Sequence, residues 1–189
     1  MNHLVRCDWA EVHPLMQDYH DNEWGVPVHD DRKLFEFLVL DAFQAGLSWL
    51  TVLKKREAFR EAFDHFDAES IARYDEYKVE VLMQNAGIIR NRLKINGTIR
   101  NARAFLKIRQ QYGCFDQFIW QFTDHKTLVN HFNNVKEIPS RSPESDAMSK
   151  ALVKEGFTFV GSTICYAFMQ ASGMVNDHLT GCFRHEALR

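Results

Sequence analysis

The chain reads as an all-α protein, and three observations carry that reading. Apolar residues recur at helical spacing along most of its length, helix start and stop signals bracket those runs, and strand-type alternation is nearly absent. Its 189 residues are 46% hydrophobic and include 15 Phe and 4 Trp, enough to fill a sizeable core. The length suits a single domain, residues 1–189, or two closely packed lobes.

Taken in order, the first helix follows Asp30-Asp31, where Leu34, Leu38, Asp41 and Ala45 fall on one amphipathic stripe. A second runs from about Trp49 through Lys54-Lys55-Arg56 to Phe63. A third starts near Asp67, carries Val79, Leu82 and Met83, and stops at Gly87, which can take the left-handed conformation of a helix end. Ile95, Ile99, Ala102 and Leu106 form the fourth stripe, flanked by Arg92, Arg100, Arg103 and Lys107. Ser142-Pro143 is a helix start with Pro at the first position; that helix holds Ala147, Ala151 and Leu152 and ends at Gly156. A last helix follows Gly161 and closes near Gly173. Phe157-Thr158-Phe159-Val160 is a short strand candidate, and residues 123–141, with Asn133-Asn134 and Pro139, read as a loop or a connection between lobes.

The net charge of −2 argues neither for nor against nucleic acid, so any DNA contact must come from a local basic face. No apolar run approaches the roughly 18–20 residues of a membrane span, and the start Met1-Asn2-His3-Leu4-Val5-Arg6 is unlike a signal peptide. Four scattered cysteines (Cys7, Cys114, Cys165, Cys182) do not make a disulfide framework, which points to a reducing cytoplasm.

Several residues could carry chemistry. Cys7 and His20 lie near one end of the chain; near the other, His178 and Cys182 are four apart, which on a helix places both on one face. Two Cys and two His suit tetrahedral zinc and leave no position for a reacting water, so such an ion would be structural. The spacing equally fits buried thiols with surface histidines. Asp41 sits on an apolar helical stripe, where an unpaired carboxylate is costly; it either caps a neighbouring helix or faces a ligand. Ala45-Gly46-Leu47-Ser48 is either a plain interhelical turn or an exposed apolar tip able to enter a base stack. Trp9, Tyr19, Trp24 and Trp49 could be core, or could stack on a flat, amine-bearing heterocycle. Phe159-Val160-Gly161-Ser162-Thr163 reads as a short hairpin opening onto a helix N-terminus suited to phosphate. The basic run Arg90-Asn91-Arg92-Leu93-Lys94 fits a solvated helix face.

Together these segments resemble a known family. Tyr19-His-Asp-Asn-Glu-Trp-Gly-Val-Pro27, Gln44-Ala-Gly-Leu-Ser-Trp49, Thr51-Val-Leu-Lys-Lys-Arg56, Asn85-Ala-Gly-Ile-Ile-Arg90, Phe159-Val-Gly-Ser-Thr-Ile-Cys-Tyr166 and Val175-Asn-Asp-His178 look like 3-methyladenine DNA glycosylase I, in order and over nearly the whole chain. The resemblance implies a helix-hairpin-helix glycosylase fold: two helical lobes with a base pocket between them and a zinc site joining the terminal segments. It implies a structural zinc ion on Cys7, His20, His178 and Cys182. Trp9, Tyr19 and Trp49 would bind the base, with Asp41 as the carboxylate of both recognition and catalysis. Gly46 and Leu47 would form a wedge in the DNA, and Gly161, Ser162 and Thr163 would grip a phosphate. Asp177 is expected to be structural. The implied partners are alkylated double-stranded DNA and the released 3-methyladenine, bound by a monomer in the cytoplasm, at the nucleoid when on DNA.

This chain departs from the family pattern in carrying Asp41 where Glu is usual, Met16 where Tyr is frequent, and Phe43 where a polar residue is common. The Asp carboxylate is set back by one C–C bond, about 1.5 Å. A glycosylase of shifted base preference and a zinc-stapled DNA-binding module without activity are the alternatives.

Overall fold

The computed structural model describes residues 4–189, and helices account for most of them. A 3₁₀ turn at Asp8–Val12 leads into α1 (Pro14–Asn22), followed by α2 (Asp31–Gln44) and α3 (Trp49–Ala62). Next come α4 (Ala68–Ala72), α5 (Glu76–Gln84), α6 (Arg92–Tyr112), α7 (Phe115–Trp120), α8 (Pro143–Glu155), α9 (Ser162–Ala171) and α10 (Phe183–Ala187). Two-residue strands β1 (Leu128–Val129) and β2 (Val175–Asn176) pair in parallel, Leu128 opposite Val175. Among the described residues, no helix is long and apolar enough to cross a membrane.

Side-chain caps explain most boundaries. Asp30 accepts from Lys33 N at the start of α2, and Ser48 accepts from Thr51 N at the start of α3. Ser142 and Ser145 form a reciprocal capping box with Pro143 at the first position of α8, which closes on Gly156 at φ 101°. Each bond satisfies an amide that a helix end would otherwise leave unpaired.

Four expectations need correction. The helix expected from Asp67 to Gly87 is two, because Asp75 accepts from Lys78 N and starts α5 afresh. α2 is no one-sided helix: Leu34 through Phe43 are buried on every face, and Ala45 lies beyond its end, exposed. α2 is therefore the central rod, packing on α3, α6 and α9. Residues 157–160 form no strand; Phe159 is left-handed (φ 58°), which breaks extended pairing. The segment 123–141 is partly ordered by β1 and by a 3₁₀ turn at Val135–Glu137.

The buried apolar residues form two clusters. The larger runs through α2, α3, α6, α8 and α9, with Phe35, Phe43, Phe59, Phe105 and Phe168 at its centre. The smaller contains Cys7, Met16, Tyr19, Trp24, Leu53 and Cys182, flanked by Trp9, Trp49 and Phe183. Two backbone features position what lies between them. Gly173 (φ 72°) sits so close to residues 26–27 that an added Cβ would lie 2.4 Å from Pro27 N. The turn before α9 is clamped onto α6, since Thr158 N donates to Asn101 Oδ1 (2.8 Å) while Asn101 Nδ2 donates to Thr158 O (3.0 Å).

Asn101→Ala removes both bonds and leaves the Thr158 backbone unpaired. We expect a loss of about 2 kcal/mol, read as a fall of roughly 4–8 °C in Tm by thermal denaturation.

Candidate functional site

The ligand atoms of Cys7, His20, His178 and Cys182, all buried, lie within 4.8 Å of one another. Cys7 precedes the first 3₁₀ turn and His20 sits on α1. His178 and Cys182 do not share a helix: they lie in the irregular segment between β2 and α10, and Cys182 caps α10. Chain curvature rather than helical spacing brings them together.

The separations suit one ion. Cys182 Sγ is 3.4 Å from His20 Nε2 and 3.6 Å from His178 Nδ1, and Cys7 Sγ is 3.8 Å from His178 Nδ1. Tetrahedral ligands at zinc bond lengths stand about 3.3–3.8 Å apart. The other imidazole nitrogens are occupied: His20 Nδ1 meets Asp21 Oδ1 at 2.8 Å, and His178 Nε2 meets the Trp24 carbonyl at 3.0 Å. Such outer contacts fix the tautomer that leaves the inward nitrogen free for a metal. Arg6 in turn grips Asp21 through Nε and Nη2. Cys182 is the thiol driven toward thiolate, first by the hydrogen bond from Cys7, against the opposing effect of burial, and then by the two imidazoles.

Beside this cluster lies a cavity of about 400 Å³ lined by Trp9, Met16, Tyr19, Trp24, Asp41, Gln44, Trp49, Val135, Ile138, Ala167 and Gln170. Its aromatic walls pack on one another and on the Cys/His cluster. Trp9 and Trp24 meet edge to face at 5.0 Å, Tyr19 and Trp49 are tilted at 5.2 Å, and Trp24 stands at 4.6 Å from His178. Asp41 is 4% exposed, and its Oδ2 has no hydrogen-bond partner. The helix-cap alternative therefore fails for Asp41, since a capping carboxylate would accept from a backbone amide. Burial pushes its carboxyl well above the ordinary range. Burial, with Asp41 second, pushes the Tyr19 phenol up as well. The Trp49 indole N–H is also buried without a partner, so the walls hold an unpaired acceptor and an unpaired donor.

The structure brings Trp9, Tyr19, Trp49 and Asp41 to one cavity, as the sequence predicts, and adds Gln44, Ala167, Gln170, Val135 and Ile138. Gln44 is signalled by its i+3 spacing from Asp41 on α2. The others come from α9 and from the segment with no periodicity, where the sequence gives no signal. Gly46 is left-handed (φ 83°) with open space around it, and Leu47 is 43% exposed, so the turn presents an apolar tip. Lys94, read from sequence as part of a solvated face, is instead buried, with Nζ donating to the Phe43 and Ala45 carbonyls at 2.9 Å each. It caps the end of α2 just before that tip. Gly161 is the N-cap of α9, and Ser162 and Thr163 begin the helix. Asp177 is saturated: Asn130 donates to Oδ1, and Tyr166 and Gln170 donate to Oδ2. That matches the structural role expected of it.

The mostly helical fold thus brings together a left-handed apolar tip, a clamped turn before α9 and an aromatic cavity holding one unpaired carboxylate. The sequence profile of the methyladenine glycosylase family matches residues 9–185, and the chain belongs to that family. It is 54% identical to DNA-3-methyladenine glycosylase 1 of Escherichia coli K12 over 179 residues, 95% of this chain and 96% of that protein. The crystal structure of a 3-methyladenine DNA glycosylase I (TAG) superposes with a TM-score of 0.93 at 55% identity, covering 95% of this chain and 98% of the other. A single-residue variant of 3-methyladenine DNA glycosylase I in complex with 3-methyladenine superposes at 0.91 with 33% identity, covering 94% and 96%.

The Asp41 shift fixes the sign of a pH effect. The folded state raises the carboxyl above its unfolded value of 3.8, so ionisation destabilises the fold as pH rises past that value. Asp41→Asn is expected to melt a few degrees above wild type at neutral pH. The gain should vanish below about pH 4, where the wild-type carboxyl is protonated in both states, as thermal melts across that range will show.

Proposed function

We propose that this chain is a DNA-3-methyladenine glycosylase that hydrolyses the N-glycosidic bond of 3-methyladenine in alkylated double-stranded DNA, releasing the free base and leaving an abasic site. The observation that carries the reading is the aromatic cavity with its unpaired, buried Asp41 carboxylate, in a chain of the methyladenine glycosylase family. Methylation at N3 gives the base a positive charge. A cation between π-faces, opposite a carboxylate in an apolar cavity, is held by cation–π attraction and a charge-assisted hydrogen bond. The ion pair draws Asp41 into its carboxylate form.

The chemistry asks little of a protein acid, because the base already carries the charge that makes it a leaving group. The electron pair of the C1′–N9 bond goes to the base and neutralises it. The oxocarbenium-like sugar takes up water, and the proton of that water goes to solvent. Asp41 contributes by binding the base rather than by protonating it, and Trp9, Tyr19 and Trp49 supply stacking surfaces. For this the nucleotide must leave the duplex. We assign Gly46 and Leu47 to the gap left behind, supported by the exposed tip held on Lys94. We assign a phosphate to the amides of Gly161, Ser162 and Thr163. Supporting this, Gly161 has an ordinary φ of −62°, and an added Cβ would meet no atom within 4 Å. The fold itself therefore does not require glycine there. Residues 1–189 act as one unit of two helical lobes. A single chain suffices, since cavity, tip and turn all belong to it, and the site of action is the nucleoid within the cytoplasm.

We further propose that Cys7, His20, His178 and Cys182 hold one structural zinc ion. The buried four-atom cluster with its oriented imidazoles supports this, and a filled tetrahedron leaves zinc no part in the bond cleavage. Elemental analysis of purified protein is expected to give about one zinc per chain, and Cys7→Ser should lower both zinc content and Tm.

Incubation with alkylated duplex DNA, with the freed bases separated by chromatography, tests the activity. The expected product is 3-methyladenine; a different base would mean shifted specificity, and no release would leave a DNA-binding module. Asp41→Ala, expected to remain folded, should weaken free-base binding and release by roughly 10- to 150-fold, the equivalent of one charge-assisted hydrogen bond.

A further inference from the structure

We propose that Gln170 is a specificity-determining residue of this pocket, a neutral acceptor that reads the exocyclic amine of the bound base and disfavours a carbonyl at the same position. The proposal rests on the base-pocket reading above.

Gln170 lies near the end of α9 and lines the cavity, as do the α2 residues Asp41 and Gln44. Its Nε2 donates to Asp177 Oδ2 at 2.8 Å. A carboxylate offers only acceptors, so the amide must present its NH₂ to Asp177 and its carbonyl oxygen away from it. Asp177 cannot turn aside to release the amide. It is fully buried, Tyr166 Oη donates to the same Oδ2 at 2.8 Å, and Asn130 Nδ2 donates to Oδ1 at 2.7 Å. The backbone is equally fixed, since Gln170 O accepts from Gly25 N at 3.0 Å, next to the cavity residue Trp24. Gln170 Oε1 has no partner among the described residues, although the side chain is half-buried on the cavity wall.

An amide alone can serve either as donor or as acceptor. Here the bond to a buried carboxylate fixes which end of the amide turns toward Asp177, and the carbonyl end is left as an acceptor for the pocket. Gln170 thus adds a neutral acceptor to the carboxylate of Asp41. A 6-amino purine can donate to an acceptor; a 6-oxo purine sets oxygen against oxygen, with neither group hydrogen-bonded. Asp41 supplies affinity for the charge of an alkylated base, which 3-methyladenine shares with other N-alkylpurines. Gln170 supplies discrimination by the exocyclic group, which charge alone cannot give. With the carboxylate of Asp41 set back by one bond relative to Glu, the neutral acceptor carries more of that discrimination.

The test is free-base binding by calorimetry of 3-methyladenine and 3-methylhypoxanthine, the analogue with a carbonyl in place of the amine. Wild type is compared with Gln170→Met, which keeps length and volume without the acceptor. Wild type should prefer 3-methyladenine. Gln170→Met should lose about tenfold for 3-methyladenine and nothing for the oxo analogue, so that the preference collapses by that factor. Equal losses for the two bases would assign Gln170 to packing alone and overturn the proposal, as would no change for either base. Gln170→Asn, with the amide drawn back by one methylene, provides a second readout: if it folds and keeps the full wild-type preference, the acceptor lies elsewhere. Failure of wild type to bind either base would overturn the pocket reading itself, an outcome distinct from these.

Discussion

The meeting of residues 7 and 20 with residues 178 and 182 is the constraint on which the rest of the site depends. The two Cys/His pairs are more than 150 positions apart in a chain of 189, and what they join is one wall of the cavity. His178 is held by the Trp24 carbonyl, Trp24 packs on Trp9, and Tyr19 and His20 are neighbours on α1. Cys7, Tyr19, Trp24 and Cys182 consequently belong to one small apolar cluster, separate from the main core. Without closure of the long loop, the aromatic wall has nothing to stand on. Cys7, His20, His178 and Cys182 support the cavity wall without lining the cavity.

Two buried aspartates show how environment assigns roles to identical groups. Asp177 has three donors on its two oxygens and rigidifies what surrounds it. Asp41 has an oxygen with no partner at all, at the edge of a cavity. An unpaired buried carboxylate costs stability, and a fold keeps one where a ligand completes it. The Lys94 ammonium is a third variant of the same rule. Buried, it is stabilised by two helix-end carbonyls and holds a turn in place. Burial without a counter-charge lowers its pKa.

Much of this was legible in the chain. The helical class followed from spacing and boundary signals, and the helices expected after Asp30, from about Trp49 and at Ser142-Pro143 start where the structure has them. The aromatic residues and Asp41 stood out because a carboxylate on an apolar stripe is chemically anomalous. The misses share one cause, which is that local patterns do not encode contacts between distant segments. Nothing local to Leu128 announces its pairing with Val175. The basic run hid the burial of Lys94, because its partners are carbonyls some 50 positions away. Nothing in the sequence around Gln170 shows that Asp177 holds its amide. The four-residue spacing of His178 and Cys182 suggested a helix that is absent, yet the four side chains still converge, because distant segments bring them together.

Gly173 adds a consequence for how sequence change reaches the site. It lines no part of the cavity and offers no ligand, yet it has no room for even one carbon against the backbone of residues 26 and 27. Any side chain there would push that segment off the end of α9. Trp24 would shift with it, carrying along the carbonyl that orients His178 and the Gly25 amide that steadies Gln170. One added methyl group would thus reach the aromatic wall, the thiol–imidazole cluster and the neutral acceptor together. A survey of inherited variants ranked by distance from the cavity would rate this position harmless, while the backbone makes it one of the least permissive in the protein.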